Sequence, residues 1–148
     1  MIKLEKFTKF DFQRLISWIT SEEELICFAG PGFSFPLDDN QLLDYINSDS
    51  RLIFKVIDTK SNKVIGHCEL NNINYKTKNA RICRIMIGDK SFRNKGYCEL
   101  LIKKLINLAF EDLGLNSLTL KVYENNVKAI SCYKNCGFEV KGTIHKSY

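Results

Sequence analysis

A chain of 148 residues with 45% hydrophobic and 26% charged residues has the size and composition of one globular domain built on a single core. Its net charge of +5 forms no long basic tract and no recognisable nucleic-acid motif. No apolar run approaches the length of a membrane span, and the N-terminus lacks the basic-then-apolar order of a secretory signal. A cytoplasmic protein is expected, with no membrane partner, whose charge serves a small polyanion rather than RNA. Cys27, Cys68, Cys83, Cys98, Cys132 and Cys136 are scattered through core-like segments, as small hydrophobes in a reducing compartment are. Cys132 and Cys136 stand one helical turn apart, but no nearby Cys or His completes a zinc set, so no metal is expected.

Residues 2–6 read as a short first strand, and Thr8 is placed to cap a helical pattern through Phe12, Leu15, Ile16 and Ile19. The stretch 21–37 mixes acids, aromatics and Ala29-Gly30-Pro31-Gly32, which predicts irregular structure around a short helix at 22–27 and a candidate acceptor loop. Residues 38–46 read as a helix capped by Asp38 or Asp39, with Leu42, Leu43 and Ile46 inward. Residues 51–58 alternate Leu52, Phe54 and Val56 against Ile53, Lys55 and Ile57. Residues 63–71 alternate Val64, Gly66, Cys68 and Leu70 against Ile65, His67 and Glu69. With a Ser-Asn turn between them they predict a hairpin. A polar loop then leads to a third strand at 80–87.

That strand runs into Gly88-Asp89-Lys90-Ser91-Phe92-Arg93-Asn94-Lys95-Gly96 and then an amphipathic helix, with Tyr97, Leu101, Leu105 and Leu108 on one face and Lys103, Lys104, Asn107 and Glu111 outward. Gly114 ends it. A strand, a basic glycine-containing turn and a helix in this order build an anion cradle. The first helical turn has N–H groups without intrahelical partners, its dipole adds positive partial charge there, and a glycine lets the backbone approach a bulky anion. From Lys90 to Lys104 five basic residues face one acid, Glu99, a local balance of +4 that holds most of the chain's net charge. A strand at 117–123, a helix at 126–135 and a last strand at 138–145 complete the pattern. The fold class expected is α+β: a mixed, mostly antiparallel sheet flanked by helices, in which the strand at 80–87 runs parallel to that at 117–123 through a crossover helix. Where those strands splay, a ligand enters and uses backbone groups that have lost their ladder partners.

Two segments resemble the GNAT-type N-acetyltransferases. Families of that kind carry an apolar strand followed by Arg/Gln-x-x-Gly-x-Gly/Ala at a helix start, here Ile85-Met86-Ile87-Gly88 and Arg93-Asn94-Lys95-Gly96-Tyr97-Cys98. They also carry Asn-x-x-Ala-x-x-x-Tyr-x-x-x-Gly-Phe, here Asn126, Ala129, Tyr133, Gly137 and Phe138. The resemblance is clearest over 53–142, while the N-terminal part, with Trp18 and the loop at 28–37, is similar to the branch related to ribosomal-protein N-terminal acetyltransferases. It implies the acyl-CoA N-acyltransferase fold, acetyl-CoA as co-substrate and direct transfer of the acetyl group, in a ternary complex, to a primary amine of a small molecule or a protein N-terminus. It further implies that N–H groups at Arg93, Asn94, Lys95, Gly96, Tyr97 and Cys98 hold the pyrophosphate. Ile85, Met86, Ile87 and Gly88 would pair with the pantetheine arm, and an N–H near Met86 or Ile87 would stabilise the oxyanion. Asn126, expected to belong to the cofactor site, shares a helix face toward the splay with Tyr133, which makes Tyr133 the candidate donor to the leaving thiolate. Glu69, on one strand face with His67, is the carboxylate expected to act as general base through water.

The sequence departs from the family at two places. Cys98 stands where Gly or Ala is usual, and the chain ends at Tyr148, soon after the strand at 138–145, where the family continues through one further strand. A sheet edge left open there would invite a homodimer, and an early end favours a second reading, a catalytically degenerate acyl-CoA-binding module of the same fold.

Overall fold

The computed structural model describes residues 1–140. In chain order it contains β1 (Ile2–Lys6), α1 (Phe12–Trp18), α2 (Glu22–Ala29), α3 (Asp39–Ile46), β2 (Leu52–Asp58), β3 (Lys63–Asn74), β4 (Asn79–Ile87), α4 (Tyr97–Asn107), β5 (Ser117–Leu120) and α5 (Val127–Asn135). The strands form one sheet in the order β1-β2-β3-β4-β5. The first four are antiparallel neighbours, and β4 pairs with β5 in parallel, as the crossover through α4 requires.

The two faces of this sheet bury two separate clusters. On one, Leu101, Ile102 and Leu105 of α4 and Cys132 of α5 pack on Val56, Ile65, Cys68, Leu70, Ala80 and Ile82. Each of the three α4 residues is 0% exposed, and burying such a side chain is worth about 1.5–3 kcal/mol. On the other face α1, α2 and α3 contribute Phe12, Leu15, Leu25, Phe28, Leu42 and Tyr45, with Ile53 and Met86 of the sheet beneath them. The caps follow side-chain chemistry: Ser21 accepts from the Glu24 N–H at the start of α2, and Asp38 accepts from the Gln41 N–H at the start of α3.

Several expected elements are corrected. The first helix enters through a 3-10 turn, Lys9–Asp11, because the Asp11 carboxylate takes the Thr8 N–H at 2.9 Å and tightens the chain there. The second helix runs on to Ala29. In α3 it is Tyr45 that turns inward, while Leu43 is 46% exposed. A register shift between Val56 and Ile57 moves Ile65 onto the face of Cys68 and Leu70, away from His67 and Glu69. β5 stops at Leu120 instead of Tyr123, because β4 bends away and its ladder with β5 ends at the Ile82–Leu120 pair. The expected strand at 138–145 lies outside the described residues from position 141 on, together with the sheet edge expected beside it, and residues 138–140 stand in no regular element.

Candidate active site

The bend in β4 has a local cause. His67 pairs with Met86 but Glu69 pairs with Cys83, so Arg84 and Ile85 together oppose Cys68. This is a β-bulge, and Arg84 takes the left-handed backbone it needs, with φ +48°. The extra residue shifts the alternation: Ile82, Ile85 and Ile87 face α4, whereas Arg84 and Met86 face α1–α3. It also ends the parallel ladder, whose last pair is Ile82 with Leu120. Beyond that pair the β5-facing edge of Cys83, Arg84, Ile85, Met86 and Ile87 carries no ladder bonds among the described residues.

Below the splay the chain turns into α4. Gly88 is buried because Trp18 fills the space above it, and a Cβ at this position would lie 2.0 Å from the indole ring. The Gly88→Ala variant is therefore expected to displace Trp18 and lose about 1–3 kcal/mol of stability, read as a lower urea midpoint with unchanged slope. A 3-10 turn, Lys90–Phe92, follows, capped by Asp89, whose carboxylate accepts from the Ser91 N–H at 3.0 Å. The Arg93 Nε–H donates to the Ile87 carbonyl at 2.7 Å and pins the turn to the strand end. Asn94 and Gly96 both take left-handed conformations, with φ of +60° and +83°. Gly96 is required by that φ, since a Cβ there would meet nothing within 4 Å. As the N-cap of α4 it offers no side-chain acceptor, and the first intrahelical bond is Leu100 N–H to Gly96 C=O. The N–H groups of Tyr97, Cys98 and Glu99 thus stand ahead of the helical ladder, beside the exposed Lys95 and the half-buried Arg93.

The side chains of the next two residues turn elsewhere. The Tyr97 hydroxyl donates to the buried Asp58 carboxylate at 3.1 Å, with its ring edge-on to Phe92, so only its backbone faces the turn. The Cys98 thiol points at Cys132, 2.8 Å away on α5. Lys128 of α5 donates to the Asn94 side-chain oxygen at 3.0 Å, a second tie between that helix and the turn. Asn126 caps α5 by accepting from the Ala129 N–H at 3.3 Å. Tyr133 is half-buried, with its ring edge-on to Phe138, and its hydroxyl has no hydrogen bond to protein among the described residues. Burial, with Cys98 and Cys132 nearby, pushes the Tyr133 phenol well up, so it stays protonated.

Glu69 lies on the opposite face of the sheet, 0% exposed. Its carboxylate accepts from Arg51 Nη1 at 2.7 Å, from Arg84 Nη1 at 3.1 Å and from the Tyr45 hydroxyl. Tyr45 is also bonded to His67 Nε2 at 3.0 Å. Since the tyrosine proton is given to Glu69, the His67 Nε2 carries a proton and donates to the tyrosine oxygen. Burial, reinforced by Arg84 and Arg14, pushes His67 down to about 3, so it is neutral at physiological pH. The Arg84 guanidinium sits over the rings of Phe33 and Tyr45, at 5.0 and 5.2 Å. Sequence reasoning found Glu69 and His67 and missed Tyr45, Arg51 and Arg84. The signal for Arg84 was present, because Ile82, Ile85 and Ile87 cannot share a face in an unbroken strand.

Among the described residues no group of three His, Cys, Asp or Glu side chains is placed to hold a metal ion. No helix among them is long and apolar enough to cross a membrane. The sequence pattern of the acetyltransferase (GNAT) family matches residues 12–138. The chain belongs to the GNAT acetyltransferase family. Spermidine N(1)-acetyltransferase of Vibrio cholerae is 30% identical over 121 residues, 82% of this chain and 68% of that one. The L-amino acid N-acetyltransferase AaaT of Escherichia coli is 27% identical over 84 residues, 56% of this chain and 51% of that one. The crystal structure of spermidine N-acetyltransferase from Vibrio cholerae in complex with CoA and spermine superposes with a TM-score of 0.79 at 25% identity, covering 95% of this chain and 82% of that one. This acetyltransferase has the acyl-CoA N-acyltransferase fold and uses acetyl-CoA to acetylate an amine. The relatives named here are acetyltransferases of spermidine and of L-amino acids, so the family is shared while the likeness to the ribosomal-protein branch is not what they carry.

Proposed function

We propose that this acetyltransferase, as one catalytic domain spanning residues 1–148, transfers the acetyl group directly from acetyl-CoA to a small-molecule primary amine in a ternary complex. The observation that carries the reading is the end of the β4–β5 ladder at Ile82 and Leu120, immediately before the unpaired edge that leads into the left-handed turn. The pantetheine arm pairs with that edge at Ile85, Met86, Ile87 and Gly88, as an added strand would. The pyrophosphate sits on the N–H groups at Asn94, Lys95, Gly96, Tyr97 and Cys98, with Arg93 and Lys95 supplying charge; the Arg93 N–H, expected among the donors, is already given to the Lys90 carbonyl at 3.2 Å. An N–H near Met86 or Ile87 polarises the thioester carbonyl, and Tyr133 gives a proton to the leaving sulfur. Asn126 shapes this wall by holding the start of α5. Glu69 is linked to His67 through the Tyr45 hydroxyl, all three being buried, so a base role for it needs that hydrogen-bonded chain to carry the proton.

A small-molecule amine is preferred to a protein N-terminus because the named relatives acetylate spermidine and L-amino acids. The proposed setting is the cytoplasm.

Calorimetric titration with CoA, combined with thiol release from acetyl-CoA against a panel of polyamines, amino acids and N-terminal peptides, tests the reading. Wild type is expected to bind CoA and release thiol with one class of small amine. The Arg93→Glu, Lys95→Glu double variant is expected to bind CoA at least about tenfold more weakly. Failure to bind CoA, or equal binding by wild type and variant, overturns the assignment of this turn.

A further inference from the structure

The interface between α4 and α5 holds three thiols. Cys98 lies in the first turn of α4, Cys132 faces it from α5 with 2.8 Å between the sulfur atoms, and Cys136 follows one turn later. Cys98 is half-buried, Cys132 is 7% exposed, and both are free thiols. A disulfide needs a sulfur separation of about 2.05 Å, so closure requires less than about 1 Å of movement between side chains that already face each other. No part of the proposed transfer chemistry uses these sulfurs.

We propose that Cys98 and Cys132 are a redox modification site, oxidised by a peroxide to an intramolecular disulfide that fastens α4 to α5. The thiolate of Cys98, the more accessible of the two, attacks a peroxide oxygen and breaks the O–O bond, giving a sulfenic acid and hydroxide, which the proton lost by the Cys98 thiol converts to water. The Cys132 sulfur then displaces hydroxide from that sulfenic acid, and with the Cys132 proton it leaves as a second water. Two thiols are oxidised by two electrons, and one hydrogen peroxide is reduced to two waters. Burial pushes both thiols up, Cys132 to about 12, so little thiolate is present at neutral pH and the oxidation is slow.

The consequence rests on the reading under Proposed function. Cys98 belongs to the turn assigned to the pyrophosphate, and Cys132 adjoins Tyr133, so the bond fixes the donor helix against the cofactor turn in a shifted position. A displacement approaching 1 Å in a reacting geometry can cost on the order of a hundredfold in rate. The full-length protein treated with hydrogen peroxide, alkylated under denaturing conditions and digested is expected to show the loss of two hydrogen atoms and a Cys98–Cys132 linked peptide, both reversed by dithiothreitol. Thiol release from acetyl-CoA should fall at least about tenfold and recover on reduction. Cys132→Ala, with Cys132→Ser as the second variant should the first fold poorly, is expected to give no linked peptide and to stop at the sulfenic acid on Cys98. Linkage of Cys98 to Cys136, or only sulfinic and sulfonic acids at Cys98 and Cys132, overturns the proposal. A protein that forms the linked peptide but never releases thiol overturns the transfer reading instead, and leaves the modification site standing.

Discussion

Replacing Tyr133 by Phe is expected to lower turnover by about 10²-fold while CoA affinity changes by less than about twofold. The hydroxyl is the only group removed, it has no protein partner among the described residues, and the ring keeps its contact with Phe138, so folding and cofactor binding have no reason to change. A transition-state proton donor behaves in this way, because its contribution appears only as the carbon–sulfur bond breaks. The pH dependence adds a second check. Burial and the neighbouring thiols hold the phenol protonated above its ordinary range, so the donor is intact at every pH below about 10. Any alkaline fall in wild-type kcat below that pH therefore belongs to another group and should persist unchanged in the variant. Steady-state kinetics by thiol release with calorimetry of CoA binding decides the matter, and an unchanged turnover rejects the donor role.

The Glu69→Gln variant is expected to lose about 3 kcal/mol or more of folding stability, seen as a lower urea midpoint at unchanged slope. The carboxylate neutralises two guanidinium groups that are themselves largely buried, with side-chain exposures of 20% and 12%, and it accepts the Tyr45 hydroxyl. Glutamine removes the charge and brings an N–H₂ group toward donors, so at least one arginine is left facing another donor in a site closed to water. The same variant tests the base. If Glu69 draws the amine proton through Tyr45 and His67, the acidic limb of kcat/KM shifts or disappears in the variant. Identical limbs with reduced stability make Glu69 the electrostatic partner that holds Arg84 in the bulge, and the general base is then another group.

This second case shows where reading the chain reaches its limit. The alternation of residues 63–71 put Glu69 and His67 on one face, and the structure keeps them together. It could not show that this face is roofed by Tyr45 from α3 and flanked by Arg51 and Arg84, because those contacts join positions 15–24 residues apart through strand pairing and the packing of α3. Tyr97 and Cys98 follow the same rule. Their place at the start of α4 was legible from the glycine and the apolar period, whereas the turn of one side chain to Asp58 and the other to Cys132 depended on elements distant in sequence.

Local period, capping chemistry and spaced motifs were enough to read from the chain the order of strands and helices over the described residues, the parallel crossover, the glycine turn that opens α4 and the family. The point at which β4 leaves β5 was set instead by packing between distant segments. That point depends on one extra residue opposite Cys68, on a left-handed Arg84 and on an ion pair across β3 and β4, and the balance among them is struck by partners that no local window contains.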